Sequence, residues 1–345
     1  MPDARPAAPH PADPASWDLA TSGRLATAAV AGRVLADLAD DDDRIVVVTA
    51  DLKFSNRTDV FADRHPGRFF NVGIAEQQMV SMGAGLATFG FVPYVATFAS
   101  FVGLLCGEQI RTDLAYPGLP VRILAHHAGI SLGFYGTSHH ATEDLGLMRS
   151  IAGLTVICPC DAAATEQLLR ATVDVPGPVY VRLGRGREPD VYGPRAPRLE
   201  VGRVTVLRDG GDVAIVANGI TVAAALEAAA TVAGEGIDAA VLDAHTVRPF
   251  DGATICAYAA RTGRLLVAEE HNVIGGVASA CADALVDGGI GGDVVLHRAG
   301  LPADEYALIG PPTHLYRHYQ LDAAGLAARV RALVATAPHR DRRTR

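Results

Sequence analysis

Short β-branched runs separated by helix-length stretches constrain this chain most. "RIVVVTADL" carries a buried strand over Ile45 to Thr49, and "FVPYVATF", "VRILAHHAG", "LTVICPC" and "PVYVRLG" repeat the type. Between them lie helical stretches over Thr21–Ala39, Glu76–Ala87, Phe101–Ala115 and Ala162–Val173. Continuous apolar strands alternating with helices build parallel βαβ units, because a strand buried on both faces needs helices to cover it. "GRGREPDVYGPRAPRL" interrupts the rhythm, and "DVAIVANG", "DAAVLDAHTVRP" and "GRLLVAEEH" resume it as three further strands. The expectation is an α/β chain of two parallel-sheet domains, at 19–187 and 205–337, joined by a linker at 188–204. A proline-rich disordered leader (1–18) and a charged tail (338–345) flank them.

Composition narrows the function classes. A net charge of -8 leaves no basic footprint for nucleic acid. No apolar run is long enough to span a bilayer and the first residues do not read as a signal peptide, so a cytoplasmic location is expected. Five cysteines, an odd number, fit reduced thiols, and the spacing of Cys158 and Cys160 is too tight for the usual zinc pairs. These two read as core or loop thiols.

The stretch "FFNVGIAEQQMVSMGAGLATFG", residues 69–90, places Glu76 near a helix start with no basic residue in the stretch to pair with it. On its own it reads equally as a dipole-stabilising first-turn glutamate or as a working carboxyl group. The wider pattern is more specific. "TADLKFSN", "RFFNVGIAEQQMVSMGAGLATFGFVPYVATFASF", "EQIRTDLAYP", "LDAHTVRPFD" and "VAEEHNVIGG", in that order across residues 20–335, resemble the pyrimidine-binding and C-terminal domains of the transketolase family. The likeness is greatest to the small subunit of split transketolases, whose enzyme is divided between two polypeptides.

That resemblance implies thiamine diphosphate as cofactor. Glu76 matches the carboxyl group that hydrogen-bonds the aminopyrimidine, and Phe98 and Phe101 match the aromatic residues flanking it; read alone, two phenylalanines three apart are core. Leu104 stands where the family commonly has an aromatic. Family members hold the diphosphate through Mg²⁺ with a Gly-Asp-Gly motif and a later asparagine. No Gly-Asp-Gly occurs here, so the resemblance assigns diphosphate and Mg²⁺ to a partner large subunit and no metal ligand to this chain. Sites formed between chains imply an α2β2 heterotetramer.

The substrate side carries over one position at a time. Arg24, Ser55, His127 and Arg185 fall where the family contacts the phosphate end of a sugar phosphate, and convergent donors suit that anion. Each has a bland alternative: surface arginine, turn serine or core histidine. His139 matches the histidine near the reacting carbons. Tyr135 replaces the acidic residue that reads a sugar hydroxyl, a phenol in place of a carboxylate, which leaves substrate choice open. The implied activity is transfer of a two-carbon ketol unit from a ketose to an aldehyde. Two alternatives stay open: the β subunit of a 2-oxo acid dehydrogenase or decarboxylase, and a non-catalytic assembly partner of this fold. In the second domain, Glu269, Glu270 and His271, with His245 and Arg248, read as structural or subunit-contact residues.

Overall fold

The computed structural model describes residues 27–185, 188–193 and 197–336. The leader, the tail and Arg24 lie outside the described residues. In chain order the strands are β1 Ile45–Thr49, β2 Phe69–Asn71, β3 Val92–Phe98, β4 Arg122–His126, β5 Thr155–Ile157, β6 Val179–Arg182, β7 Thr205–Arg208, β8 Val213–Ala217, β9 Ala239–Asp243, β10 Thr246–Arg248, β11 Arg264–Asn272 and β12 Val295–Leu301. The helices are α1 Thr27–Asp41, α2 Asp59–Arg64, α3 Glu76–Thr88, α4 Ala99–Leu105, α5 Gly107–Gln109, α6 Asp144–Ser150, α7 Ala162–Thr172, α8 Thr221–Ala233, α9 Gly252–Thr262, α10 Val277–Asp287, α11 Pro312–His318 and α12 Ala323–Val334.

Two sheets result, in the orders β10-β5-β6-β4-β3-β1-β2 and β12-β11-β8-β9-β7. Every pairing is parallel except β10 on β5 and β7 on β9, both at sheet edges. The expected α/β architecture is therefore present, with antiparallel edges added. The run "DAAVLDAHTVRP" is two strands and not one: β9 stays in the second sheet, while β10 crosses over to complete the first. The helix expected over 101–115 is also interrupted. α4 ends at Leu105, and Ile110–Ala115 winds as a π-helix, with the Tyr116 amide donating to the Arg111 carbonyl at 3.0 Å. Gly103 and Gly107 lower helix propensity there, and Gly103 lets α4 lie against Asp144, whose Cβ a side chain at 103 would meet at 3.3 Å.

Alternation along the strands divides the core into two layers. Ile45 and Val47 of β1 pack toward α1 and α7, whereas Val48 packs toward α3. The same division runs through β8, with Val213 and Ile215 in one layer and Ala214 and Val216 in the other. Both layers are continuous across the two domains. The linker joins in: Asp161 caps α7 by accepting the Ala164 amide at 2.8 Å, and its other oxygen takes the amides of Val191 and Tyr192, each at 2.7 Å.

Candidate active site

Where β1 ends, the chain turns one way to β2 and the other way to β3, so a crevice opens at their carboxyl edge. Open parallel sheets bind ligands at such a switch point. All strands of the first sheet except β10 run in parallel, so the segments after β1, β2, β3, β4 and β6 share this edge. Those segments carry Ser55, Glu76, Phe98 and Phe101, His127 and His139, and Arg185 respectively.

The turn before α3 is locked from the side. Asn71 accepts the amides of Asp51 and Gly73, both at 3.0 Å, and its own amide donates to the Asp51 carboxylate at 3.0 Å. Gly73 takes φ +75 there, a conformation glycine adopts without strain. The helix then starts with Glu76, only 8% exposed. Its Oε1 accepts from Thr97 Oγ1 at a long 3.5 Å, and among the described residues this is the hydrogen bond its carboxyl makes. The carboxyl makes no capping bond among the described residues, while its place in the first turn of α3 is equally that of a dipole-stabilising glutamate. The Cys106 thiol lies near enough to feel it: burial first, then the Glu76 charge, push that thiol up to about 12.

Five rings gather beyond Thr97, around the end of β3. Phe98 closes β3 and lies 5.4 Å from Phe101, 4.2 Å from His127 and 5.9 Å from His139 between ring centroids. Tyr135 stands 4.8 Å from His139. His127 has φ +61, an uncommon backbone state for a side chain of this size, and its Nδ1 is buried with no partner among the described residues. Burial, then the charges of His126, Arg185 and His139, hold its imidazole well below the usual histidine range. Burial also lowers His139, which keeps Ser138 Oγ at 2.9 Å from its Nδ1. Neutral imidazoles at this edge can accept or pass a proton near neutral pH.

The expected site residues thus separate into three groups. Phe98, Phe101, His127, His139 and Tyr135 meet in one ring cluster, Glu76 bonds Thr97, the neighbour of Phe98 in β3, and Arg185 joins the cluster electrostatically through His127 and Tyr135. Ser55 lies at the same edge on an exposed turn, and among the described residues no bond places it against the rings. Leu104 is 64% exposed on α4. Sequence reasoning passed over Thr97 as a partner of Glu76, although β3 alternation already put it near the strand end.

The second-domain motif is fully occupied with structure. Glu269 accepts the Val277 and Ala278 amides at 2.7 and 3.0 Å, capping α10. Glu270 accepts from the Ile130 amide at 2.8 Å and the Tyr316 hydroxyl at 2.6 Å. His271 takes the Gly146 amide at 3.2 Å and donates to the Asn272 carbonyl at 2.7 Å. His245 contacts the hydroxyls of Thr205 and Thr246, and Arg248 donates to the Arg149 carbonyl. Cys158 and Cys160 are buried free thiols.

Whether these residues suit the expected cofactor can be judged from their chemistry. An aminopyrimidine needs a flat apolar wall and a carboxyl group free to bond a ring nitrogen. Phe98, Phe101 and the weakly engaged Glu76 supply both, so the residues present fit.

Both halves of the chain resemble known proteins. Residues 23–189 match the model of the transketolase pyrimidine binding domain, and residues 202–326 that of the transketolase C-terminal domain. The chain is 37% identical over 292 residues to an apulose-4-phosphate transketolase subunit of Phocaeicola vulgatus, covering 85% of this chain and 92% of that protein. It is also 37% identical over 340 residues to 1-deoxy-D-xylulose-5-phosphate synthase 2 of Geobacter sulfurreducens, covering 96% of this chain but 54% of that protein. The solved structure of a split gene transketolase, an inactive beta4 tetramer, superposes with a TM-score of 0.82 at 40% identity, covering 90% of this chain and 98% of that one. The chain belongs to the transketolase family and carries its pyrimidine-binding and C-terminal domains.

Proposed function

We propose that this chain is the small subunit of a split, thiamine diphosphate-dependent transketolase and is active only with a large subunit that holds the diphosphate and Mg²⁺. The observation that carries the reading is Glu76: a buried carboxyl group, weakly bonded, beside an aromatic wall at the switch point. In this reading Glu76 bonds the aminopyrimidine, and Phe98 and Phe101 confine its ring. Bound there, thiamine diphosphate would supply the carbanion chemistry that transfer of a two-carbon ketol unit from a ketose to an aldehyde requires.

The chain's own residues do the rest. His127 and His139, kept neutral by burial, face the substrate hydroxyls and move a proton at the donor's reacting carbons. Arg185, with Ser55 and Arg24, holds an anionic end, and the relative named for apulose-4-phosphate supports a phosphate there. Tyr135 stands among them as a hydroxyl donor. The quaternary arrangement is an α2β2 heterotetramer, and the location cytoplasmic; among the described residues no helix is long and apolar enough to cross a membrane.

A second reading, decarboxylation of a 2-oxo acid, is favoured by Tyr135, a phenol where the ketol-transfer reading expects an acidic residue. One experiment separates the two. The chain is captured with its companion from native extract and supplied with thiamine diphosphate, Mg²⁺, and either a ketose phosphate with an aldehyde or a 2-oxo acid. Ketol transfer without CO₂ supports the first reading; CO₂ release from the 2-oxo acid replaces it with the second.

A further inference from the structure

The second domain reaches the loop that carries Tyr135 and His139 at two separate points. At the base, a two-bond bridge between Gly129 and Ala141 closes the loop, with N···O distances of 3.0 and 2.9 Å. The Glu270 carboxyl lies directly over that bridge. A side chain at Gly129 would meet Glu270 Cδ at 2.1 Å, and the φ of +61 there disfavours one in any case. From this position Glu270 takes the Ile130 amide, just inside the loop, and it is steered by Tyr316 of α11. The carbonyl of Glu270 also accepts Arg182 Nη2 at 2.9 Å, so the same residue is anchored to β6.

At the tip, the contact is equally close. The Gly310 amide donates to the Gly133 carbonyl at 3.0 Å, and a Cβ on Gly133 would come within 2.2 Å of the Gly310 carbonyl oxygen. One residue earlier, Ile309 presses on Gly136, where a Cβ would lie 2.8 Å from its Cδ1. Gly136 is the hub of the tip: its carbonyl accepts the amides of both His139 and His140, at 2.9 and 3.0 Å. The Leu308 amide, bonded to the Tyr319 hydroxyl at 2.8 Å, ties the pressing segment back to the second domain. Ile309 is 69% exposed, so core filling does not explain it.

We infer that the second domain sets the shape of the 130–139 loop, with Glu270 at its base and Ile309 at its tip acting as positioning residues for Tyr135 and His139. The inference rests on the transketolase reading for what the loop does, but not for how it is held. Each residue acts through a glycine of the loop and stands outside the ring cluster of the site. A catalytic side chain mispositioned by about 1 Å loses activity without losing the fold, and that is the loss expected here.

Hydrogen-deuterium exchange on the full chain tests the holding directly, using Glu270→Ala and Ile309→Ala as losses of the anchors and, as conservative rescues, Glu270→Gln, which keeps the accepting oxygen, and Ile309→Val. Loss of either anchor should speed exchange of peptides spanning 128–141 about tenfold, with α3 and β8 peptides unchanged and Glu270→Gln and Ile309→Val close to wild type. In the assembled enzyme both alanine variants should raise the donor KM about tenfold while leaving thiamine diphosphate affinity as it was. Unchanged exchange in 128–141, or an equal rise in α3 and β8, overturns the inference. If exchange responds as expected but the wild-type assembly performs no ketol transfer, the loop-holding role stands and the transketolase reading falls.

Discussion

The molecule solves the same topological problem twice, and the two solutions differ in what they do with their polar groups. In the first sheet the switch point lies beside β1, and in the second it lies beside β8, with β9 on one side and β11 on the other. Both edges gather carboxylates and histidines. At the second edge Glu269, Glu270 and His271 are each committed to backbone or hydroxyl partners at ordinary distances, beside a small cleft lined in part by Gly219, Glu270 and Tyr316. At the first edge Glu76 keeps one long contact and His127 has a buried nitrogen without a partner among the described residues. Buried polar groups are costly unless bonded, so these two are open to a ligand; Asn218, just after β8, likewise has both side-chain polar atoms buried without a partner among the described residues, so the contrast is between Glu76 with His127 and the Glu269-Glu270-His271 motif, not between whole edges. Motif chemistry alone makes "EEH" look catalytic; its bonding makes it structural.

The largest effect that would sharpen this contrast is at the first edge. Glu76→Ala should lower turnover of the assembled enzyme about 10³-fold with little change in thermal midpoint. Residual turnover within tenfold of wild type would place Glu76 among structural carboxylates. The mirror experiment is Glu269→Ala, which strips the cap from α10 and leaves two buried amides unbonded. It should cost about 3 to 4 kcal/mol in denaturant unfolding, the loss of two charge-assisted bonds, with the folded fraction fully active.

A smaller effect distinguishes Glu270 by pH. Burial first, offset by Arg182 and by its bonds from Tyr316 and Ile130, moves this carboxyl group from 4.5 up to about 7. Because the native pKa is raised, the folded state holds a proton between those limits that the unfolded state has lost, and stability contributed by this site falls as pH rises through them. Glu270→Gln has no such proton to lose. Its unfolding free energy relative to wild type should therefore improve from pH 4.5 to 7 by up to about 3 kcal/mol, read by urea titration at each pH. A difference independent of pH would mean the carboxyl is not held neutral. The smallest effect belongs to Tyr135→Phe, which removes a hydroxyl beside Arg185 and should change the donor KM by a few-fold, about 1 kcal/mol.

How much of this was legible beforehand follows from range along the chain. β1 was readable because five β-branched or apolar residues in a row admit few other states, and α3 because its start and glycine-punctuated end are local. The short edge strands β2 and β10 were not, since three residues carry too little pattern and the partner of β10 lies some 90 positions upstream in β5. The pyrimidine wall was legible through resemblance, residue by residue. The hold of Glu270 on Ile130, 140 positions away, had no sequence signal, and neither did the seat of Ile309 on Gly136. Gly133 and Gly136 were visible as glycines, but what required them came from another domain.

The central claim is that the first edge is half of a cofactor site that a second chain completes. Calorimetric titration of thiamine diphosphate with Mg²⁺ tests it most directly, run on the purified chain alone and on the chain with the companion captured from its native cells. The account predicts weak binding by the chain alone, tight binding by the pair, and loss of the tight phase in the pair carrying Glu76→Ala. Equal affinity with and without the companion, or tight binding that survives Glu76→Ala, would contradict it.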